Sequence, residues 1–239
     1  DNLMTNSTWT HRHIETLLDK DHPISRIIYP PCEVASLTSL DLKNRKPLIL
    51  SVAQFRPEKE HAMQIRALAA LLEKGDRYRS AELVLAGSVR NAGDEARVAG
   101  LRQMAKDLGV ERDVRFVINA PYSELLEWFG SASVGISTMV DEHFGISVVE
   151  LIAAGLIPVV HPSAGPLLDI VVPFEGQPTG CHASTPDQFA ESIASVLDMP
   201  QEEALVWRRR SRNSVLERFS VSAFEKQWLS AYRNLKSQL

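Results

Sequence analysis

From Pro47 to Ala183 short apolar runs alternate with helical periods, and few folds accept that order. The runs are Leu48 to Ala53, Glu82 to Ala86, Val114 to Ile118, Val134 to Thr138, Ile157 to His161 and a weaker one near Gly180 to Ala183. Between them the spacing predicts helices near 59–74, 94–108, 121–131 and 145–155; Ala62, Ile65, Leu68, Ala69 and Leu72 share one face of the first. Strand and helix in alternation predict an α/β domain, a Rossmann-like parallel sheet with helices on both faces. Such sheets bind ligands beyond the carboxyl ends of their strands. Further helices are expected near 186–198, 201–217 and 221–237. Ahead of the sheet, a Ser/Thr cluster at Thr5 to Thr10 caps a short helix holding Ile14, Leu17 and Leu18, and Arg26 to Tyr29 is a strand stopped by Pro30-Pro31.

The 239 residues suffice for one large domain, or one plus a piece of another. A net charge of −4 with 7% aromatic residues argues against nucleic acid as a partner. Cys32 and Cys181 are too few for a disulfide framework. The longest apolar run, Val148 to Val160, is interrupted by Glu150 and Pro158 and is shorter than the roughly 20 residues of a spanning helix. Lacking an initiator Met and a signal peptide, the chain reads as a piece of something larger.

The most informative stretch is Glu142-His143-Phe144-Gly145-Ile146-Ser147-Val148-Val149-Glu150. From Val148 to Ala154 the single polar residue is Glu150, and an ionised carboxylate in such a run is costly without a partner. If Gly145 opens a helix, Glu150 lies about one and a half turns in, roughly 8 Å from the free N–H groups at its start. Those groups attract anions such as phosphate, and two carboxylates suit sugar or ribose hydroxyls. The physical picture is a sugar-phosphate site; the alternative is a buried helix whose Glu150 pairs with a structural arginine.

Two Glu residues eight apart, with Phe-Gly two places after the first, resemble the signature of retaining nucleotide-sugar-dependent glycosyltransferases of family four, which have the two-domain GT-B fold. The resemblance implies that Glu150 holds the ribose hydroxyls and that Glu142, with the backbone of Phe144, Gly145 and Ile146, sits at the donor sugar. It makes the sheet the C-terminal half of a GT-B fold, with residues 1–29 the end of an N-terminal domain and linker, 30–220 the donor-binding domain and 221–239 a C-terminal helix. Within the family, Gln54-Phe-Arg-Pro-Glu-Lys59 and Asp169-Ile-Val-Val-Pro173 resemble the branch that transfers mannose in α-1,2 linkage from GDP-mannose to dolichol-linked oligosaccharide on the cytosolic face of the endoplasmic reticulum membrane. On that basis GDP-mannose is the donor, no metal or other cofactor takes part, and acceptor and membrane are met through a part of the protein outside this chain. A non-catalytic nucleotide-sugar module, or a same-fold transferase using another sugar nucleotide, are the alternatives.

The remaining candidates follow strands. After the first strand, Arg56 offers a planar fork and Lys59 a point charge for a diphosphate. In the family pattern an Arg stands five or six residues before the Lys; here that place is Gln54, with Arg56 two positions on, so Lys59 is the firmer match. Gly87 ends the second strand and lets backbone approach a ligand. Asn119, after the third, is either a base-recognising residue or a turn residue. His143 and His161 lack metal-ligand spacing and read as structural or peripheral. Asp19-Lys20-Asp21 mimics an Asp-x-Asp metal motif but reads as a solvated loop. Trp207 to Arg212 reads as a solvated basic helix face rather than a membrane contact.

Overall fold

The computed structural model describes residues 3–18 and 24–236; Asp19-Lys20-Asp21 lies outside them. Six parallel strands form the main sheet: β3 (Lys46–Val52), β4 (Glu82–Gly87), β5 (Val114–Ile118), β6 (Ala132–Ser137), β7 (Ile157–Val160) and β8 (Cys181–His182). Their order is β5-β4-β3-β6-β7-β8, so the winding direction reverses between β3 and β6. A crevice opens there, beyond the carboxyl ends of the strands. The α/β architecture is the one that the alternation predicts.

The period of two along the strands divides the core. Ile49, Leu83, Leu85, Val134, Ile136 and Val159 face α3 (His61–Glu73), α4 (Ala92–Asp107) and α7 (Pro186–Leu197). Leu48, Leu50, Val84, Ala86 and Val160 face α5 (Tyr122–Ser131), α6 (Ile146–Ala153) and α8 (Gln201–Phe219). Both faces are buried, so neither alternates with polar residues, as a doubly covered parallel sheet requires.

Ahead of the sheet, β1 (Leu3–Thr5) and β2 (Ile24–Ile27) pair in parallel around α1 (Thr8–Leu17), whose Ser7 accepts the Thr10 N–H as N-cap. This unit is fastened through Asp169, which is only 2% exposed. Its carboxylate accepts from the Thr8 backbone N–H at 2.9 Å, the Thr8 hydroxyl at 2.5 Å and the Tyr29 hydroxyl at 2.9 Å. Asp169 lies on a wide helical turn, Pro166–Ile170, that the periodicity did not reveal. Also unforeseen was the four-residue helix α2 (Ala35–Thr38). The chain ends in α9 (Val221–Lys236), packed on α8. Among the described residues no helix is long and apolar enough to cross a membrane.

The basic run on α8 is not a solvated face. Arg208 is buried, Arg212 donates to the carbonyls of Thr38 (3.0 Å) and Leu40 (2.9 Å), and Arg210 donates to that of Pro178. Arg208, Arg212, Val215 and Phe219 recur at helical spacing on one inward face, so the stripe contains guanidinium groups as well as apolar side chains.

Candidate functional site

Lys59 ends a tight turn, Pro57–Lys59, directly after β3, and Glu142 stands on the loop after β6. The reversal of strand order brings the two together: Lys59 Nζ lies 2.5 Å from Glu142 Oε2 and 3.1 Å from Met139 Sδ. Their side chains are 22% and 18% exposed, so the pair faces open space rather than the core. Thr138, at the carboxyl end of β6, fixes the turn: its hydroxyl lies 2.9 Å from the Lys59 carbonyl and 3.1 Å from that of Glu60, and it accepts from the Gln64 amide at 2.9 Å.

The Glu142 loop is held from its other side by the turn after β7. Gly165 N–H donates to the Glu142 carbonyl at 2.9 Å, and Ser163 Oγ accepts from the Asp141 N–H at 2.8 Å. Gly165 packs so closely that a Cβ there would lie 2.2 Å from the Phe144 carbonyl oxygen. Phe144 turns inward and stacks on Tyr29. Gly145, at φ +111°, then opens α6 without a side-chain cap. A left-handed start of this kind favours glycine, and with the Val148 and Val149 N–H groups donating to the Gly145 carbonyl it leaves the Ile146 and Ser147 amides to meet an anion.

These elements wall a cleft of about 670 Å³, within the range of small-molecule sites. Lys59, Gln54, Gly87, Asn119, Glu142, Phe144, Gly145 and Ile146 all line it, as do Ala53, Ser88, His143 and Ser147. His143 stacks on the Trp9 ring at 4.2 Å, so it is a wall residue rather than a peripheral one. Gly87 has a structural reason to be glycine: a Cβ would lie 1.9 Å from the Ala53 carbonyl oxygen. The Asn119 side chain is already engaged, accepting from Val89 N–H at 3.0 Å and donating to its carbonyl at 3.1 Å in a left-handed turn. That geometry favours the turn reading for its amide, while its backbone remains at the cleft.

Two candidates are not on the wall. Arg56 sits in extended backbone before the turn and faces Glu58 at 3.8 Å. Glu150 is half-buried on α6; no arginine pairs with it and its carboxylate makes no hydrogen bond among the described residues. Burial pushes its carboxyl up, and its charge joins burial in pushing the Cys32 thiol up to about 12. Glu150 therefore lies near the buried Cys32. Thr138 escaped sequence reasoning because its service is to the backbone carbonyls of Lys59 and Glu60, which no spacing announces.

This fold, with a cation, an acid and an uncapped helix at the switch point, is GT-B in type. The sequence matches the family described as Glycosyl transferases group 1 over residues 36–214, and the chain belongs to that family. Among solved structures, a glycosyltransferase from Rickettsia africae superposes with a TM-score of 0.80 at 16% identity, covering 98% of this chain and 63% of that one. More particularly, the chain is similar to the GDP-Man:Man(3)GlcNAc(2)-PP-Dol alpha-1,2-mannosyltransferases of Homo sapiens and Mus musculus, at 46% and 43% identity over 98% of its length. It spans about half the length of those relatives, 49% of each.

Proposed function

We propose that the chain is the donor-binding domain of a retaining hexosyltransferase that moves mannose from GDP-mannose, in α-1,2 linkage, to a dolichol-diphosphate-linked oligosaccharide during assembly of the N-glycan precursor. The observation that carries this reading is the Lys59–Glu142 pair beside the uncapped start of α6, at the switch point of the sheet.

A diphosphate entering the cleft meets positive potential from two sources, the Lys59 ammonium and the first-turn amides of α6. Both stabilise the charge that builds on the leaving group as the glycosidic bond breaks. Glu142 orients the mannose hydroxyls and holds Lys59 in place before the donor arrives. Glu150, without a partner among the described residues, accepts the ribose hydroxyls once the nucleotide is bound. Arg56 reaches the diphosphate only by leaving Glu58, so Lys59 carries the larger share. With this positive charge supplied by the chain, the reaction needs no metal. The acceptor and the cytosolic face of the endoplasmic reticulum membrane are engaged through other parts of the whole protein.

The test is mannosyl transfer by the whole protein from GDP-mannose to a lipid-linked trimannosyl acceptor, with Lys59→Met and Glu142→Gln compared. Each is expected to lose at least tenfold in kcat/KM, and unchanged activity in both would remove the assignment. Melting this chain with GDP, UDP and ADP tests the base, since a ligand at 100 times its Kd adds about 2.7 kcal/mol. Equal shifts with all three would remove the guanine preference.

A further inference from the structure

At the amino end of the sheet, opposite the cleft, Arg45, Ser133, Val196, Met199, Gln201 and Arg208 line a cavity of about 180 Å³. Arg208 is 7% exposed, and it makes no hydrogen bond and no ion pair among the described residues; its Nε–H is wholly buried without a partner. A guanidinium is always charged and carries five N–H donors, and a buried N–H left without an acceptor is costly. The surroundings aggravate the problem. Arg45 has a second buried, unpartnered Nε–H, and its own pKa is pushed down to about 10 by burial and then by the charges of Arg208 and Arg212. Asp41 lies at the surface and acts on Arg45 and Arg212, not on Arg208. Near Gly155 an added Cβ would touch both Arg45 and Arg212 at 3.2 Å, so these guanidinium groups converge on one point.

A third contribution comes from the backbone. The 19-residue α8 begins at Gln201 after Pro200, with no side-chain cap, and Gln201 is at the cavity wall. The first-turn acids Glu202 and Glu203 are exposed. One guanidinium without a partner, Arg208, the one N–H that Arg45 does not spend on backbone carbonyls and an uncapped helix therefore meet at one small polar chamber, with no acid among its lining residues.

We infer that this chamber is a second anion site, which takes a free tetrahedral oxyanion of the size of inorganic phosphate between Arg208, the Arg45 Nε–H and the start of α8. The volume suits such an ion and is far smaller than the nucleotide cleft. An ion there would bridge the entry to β3 and the start of α8, and so act on stability rather than on donor recognition.

The experiment is thermal melting of this chain in sodium phosphate against sodium chloride at equal ionic strength. The expected result is a rise in Tm of about 5 °C in phosphate. That rise should persist in Lys59→Met, which disables the anion site of the cleft, and vanish in Arg208→Met. Equal Tm in the two salts, or a rise abolished by Lys59→Met and kept in Arg208→Met, would overturn the inference. Glycerol 3-phosphate distinguishes a free ion from a phosphate carried on a headgroup: stabilisation by the ester without stabilisation by the inorganic ion would overturn the free-ion form. Should Arg208→Met fail to fold, a selenate soak decides, with an anomalous peak expected beside Arg208 and its absence counting against the site.

Discussion

At the amino end of the central strands Arg45 donates to the carbonyls of Phe129, Ala132, Asp41 and Ala154, and Arg212 donates to those of Thr38 and Leu40. At the carboxyl end Lys59 has one carboxylate partner, α6 begins uncapped, and Glu150 has no partner among the described residues. Both ends belong to the same strands and both collect charged side chains. At one Arg45 and Arg212 close off backbone groups that the fold leaves open, with Arg208 the exception; at the other backbone and side-chain groups beside a large cleft are left open for something else to close. Under-satisfaction beside a cleft, rather than charge itself, marks the binding end.

The strongest way to break this contrast is Arg45→Met. Removing the guanidinium deprives four carbonyls of their donor, at about 1 kcal/mol each. A loss of about 3 to 4 kcal/mol is expected in urea denaturation, with GDP affinity unchanged. Should the loss stay below about 1 kcal/mol, or GDP affinity fall tenfold, the division between the two ends would not hold.

His61 tests whether the turn beneath Lys59 depends on pH. It is buried against Phe55, hydrogen-bonded to the Ala53 backbone, and its pKa is pushed down to about 4, first by burial and then by the charge of Lys59. The ordinary unfolded value is about 6.5. The folded chain thus binds the proton less readily, so this contribution is fully present above about pH 6.5. It is lost as the pH falls towards 4, by about 3 kcal/mol over that window. Urea unfolding at pH 7 and pH 4.5 measures it, and His61→Gln is expected to flatten the difference. A slope that survives the substitution would place the titration elsewhere.

At the cleft the expectation reverses. Lys59→Met should weaken GDP binding by about 1.5 to 3 kcal/mol, the range for a hydrogen bond to a charged group. It should change stability by less than about 1 kcal/mol, because the Lys59–Glu142 pair is partly exposed. Calorimetry for binding and urea for stability separate the two, and a stability loss larger than the binding loss would make the pair structural.

How much of this was legible in the chain follows from the same contrast. The six strands came from periodicity, because a sheet covered on both faces writes its core as apolar runs, whereas the switch point depends on the strand order, which periodicity does not carry. The Glu142–Gly145 loop and Lys59 came from motif and resemblance. What periodicity missed are the polar fastenings: Asp169 beneath Thr8 and Tyr29, Thr138 beneath Lys59, and Arg45 beneath its carbonyls. Each serves backbone groups far away in sequence, so nothing local reports it. The arginine run of α8 misled for a related reason. Arg208, Arg212, Val215 and Phe219 lie at spacings of four, three and four, an inward stripe whose first two members carry charge. Arg56, close to Lys59 in sequence, faces Glu58 at 3.8 Å, because proximity in sequence is not proximity at the wall.

Glu150 gives the smallest expected effect and the sharpest form of the comparison. Its carboxylate is half-buried, without a hydrogen bond or cation among the described residues, and burial alone pushes its pKa up. A group in that state destabilises the free chain when ionised, whereas each buried guanidinium at the other end, apart from Arg208, has its carbonyls. Glu150→Gln keeps the shape and removes the charge, so it should raise stability in urea at pH 7 by about 1 kcal/mol. Because the cost belongs to the ionised form, the gain should shrink as the pH falls and the carboxyl protonates. The same change should weaken GDP binding, since the amide cannot accept from two ribose hydroxyls as a carboxylate does. A site held ready for a ligand is strained in its absence, and relieving that strain costs affinity. If Glu150→Gln lowered both stability and affinity, Glu150 would be a fastening like Asp169, and the carboxyl end would differ from the amino end in charge alone.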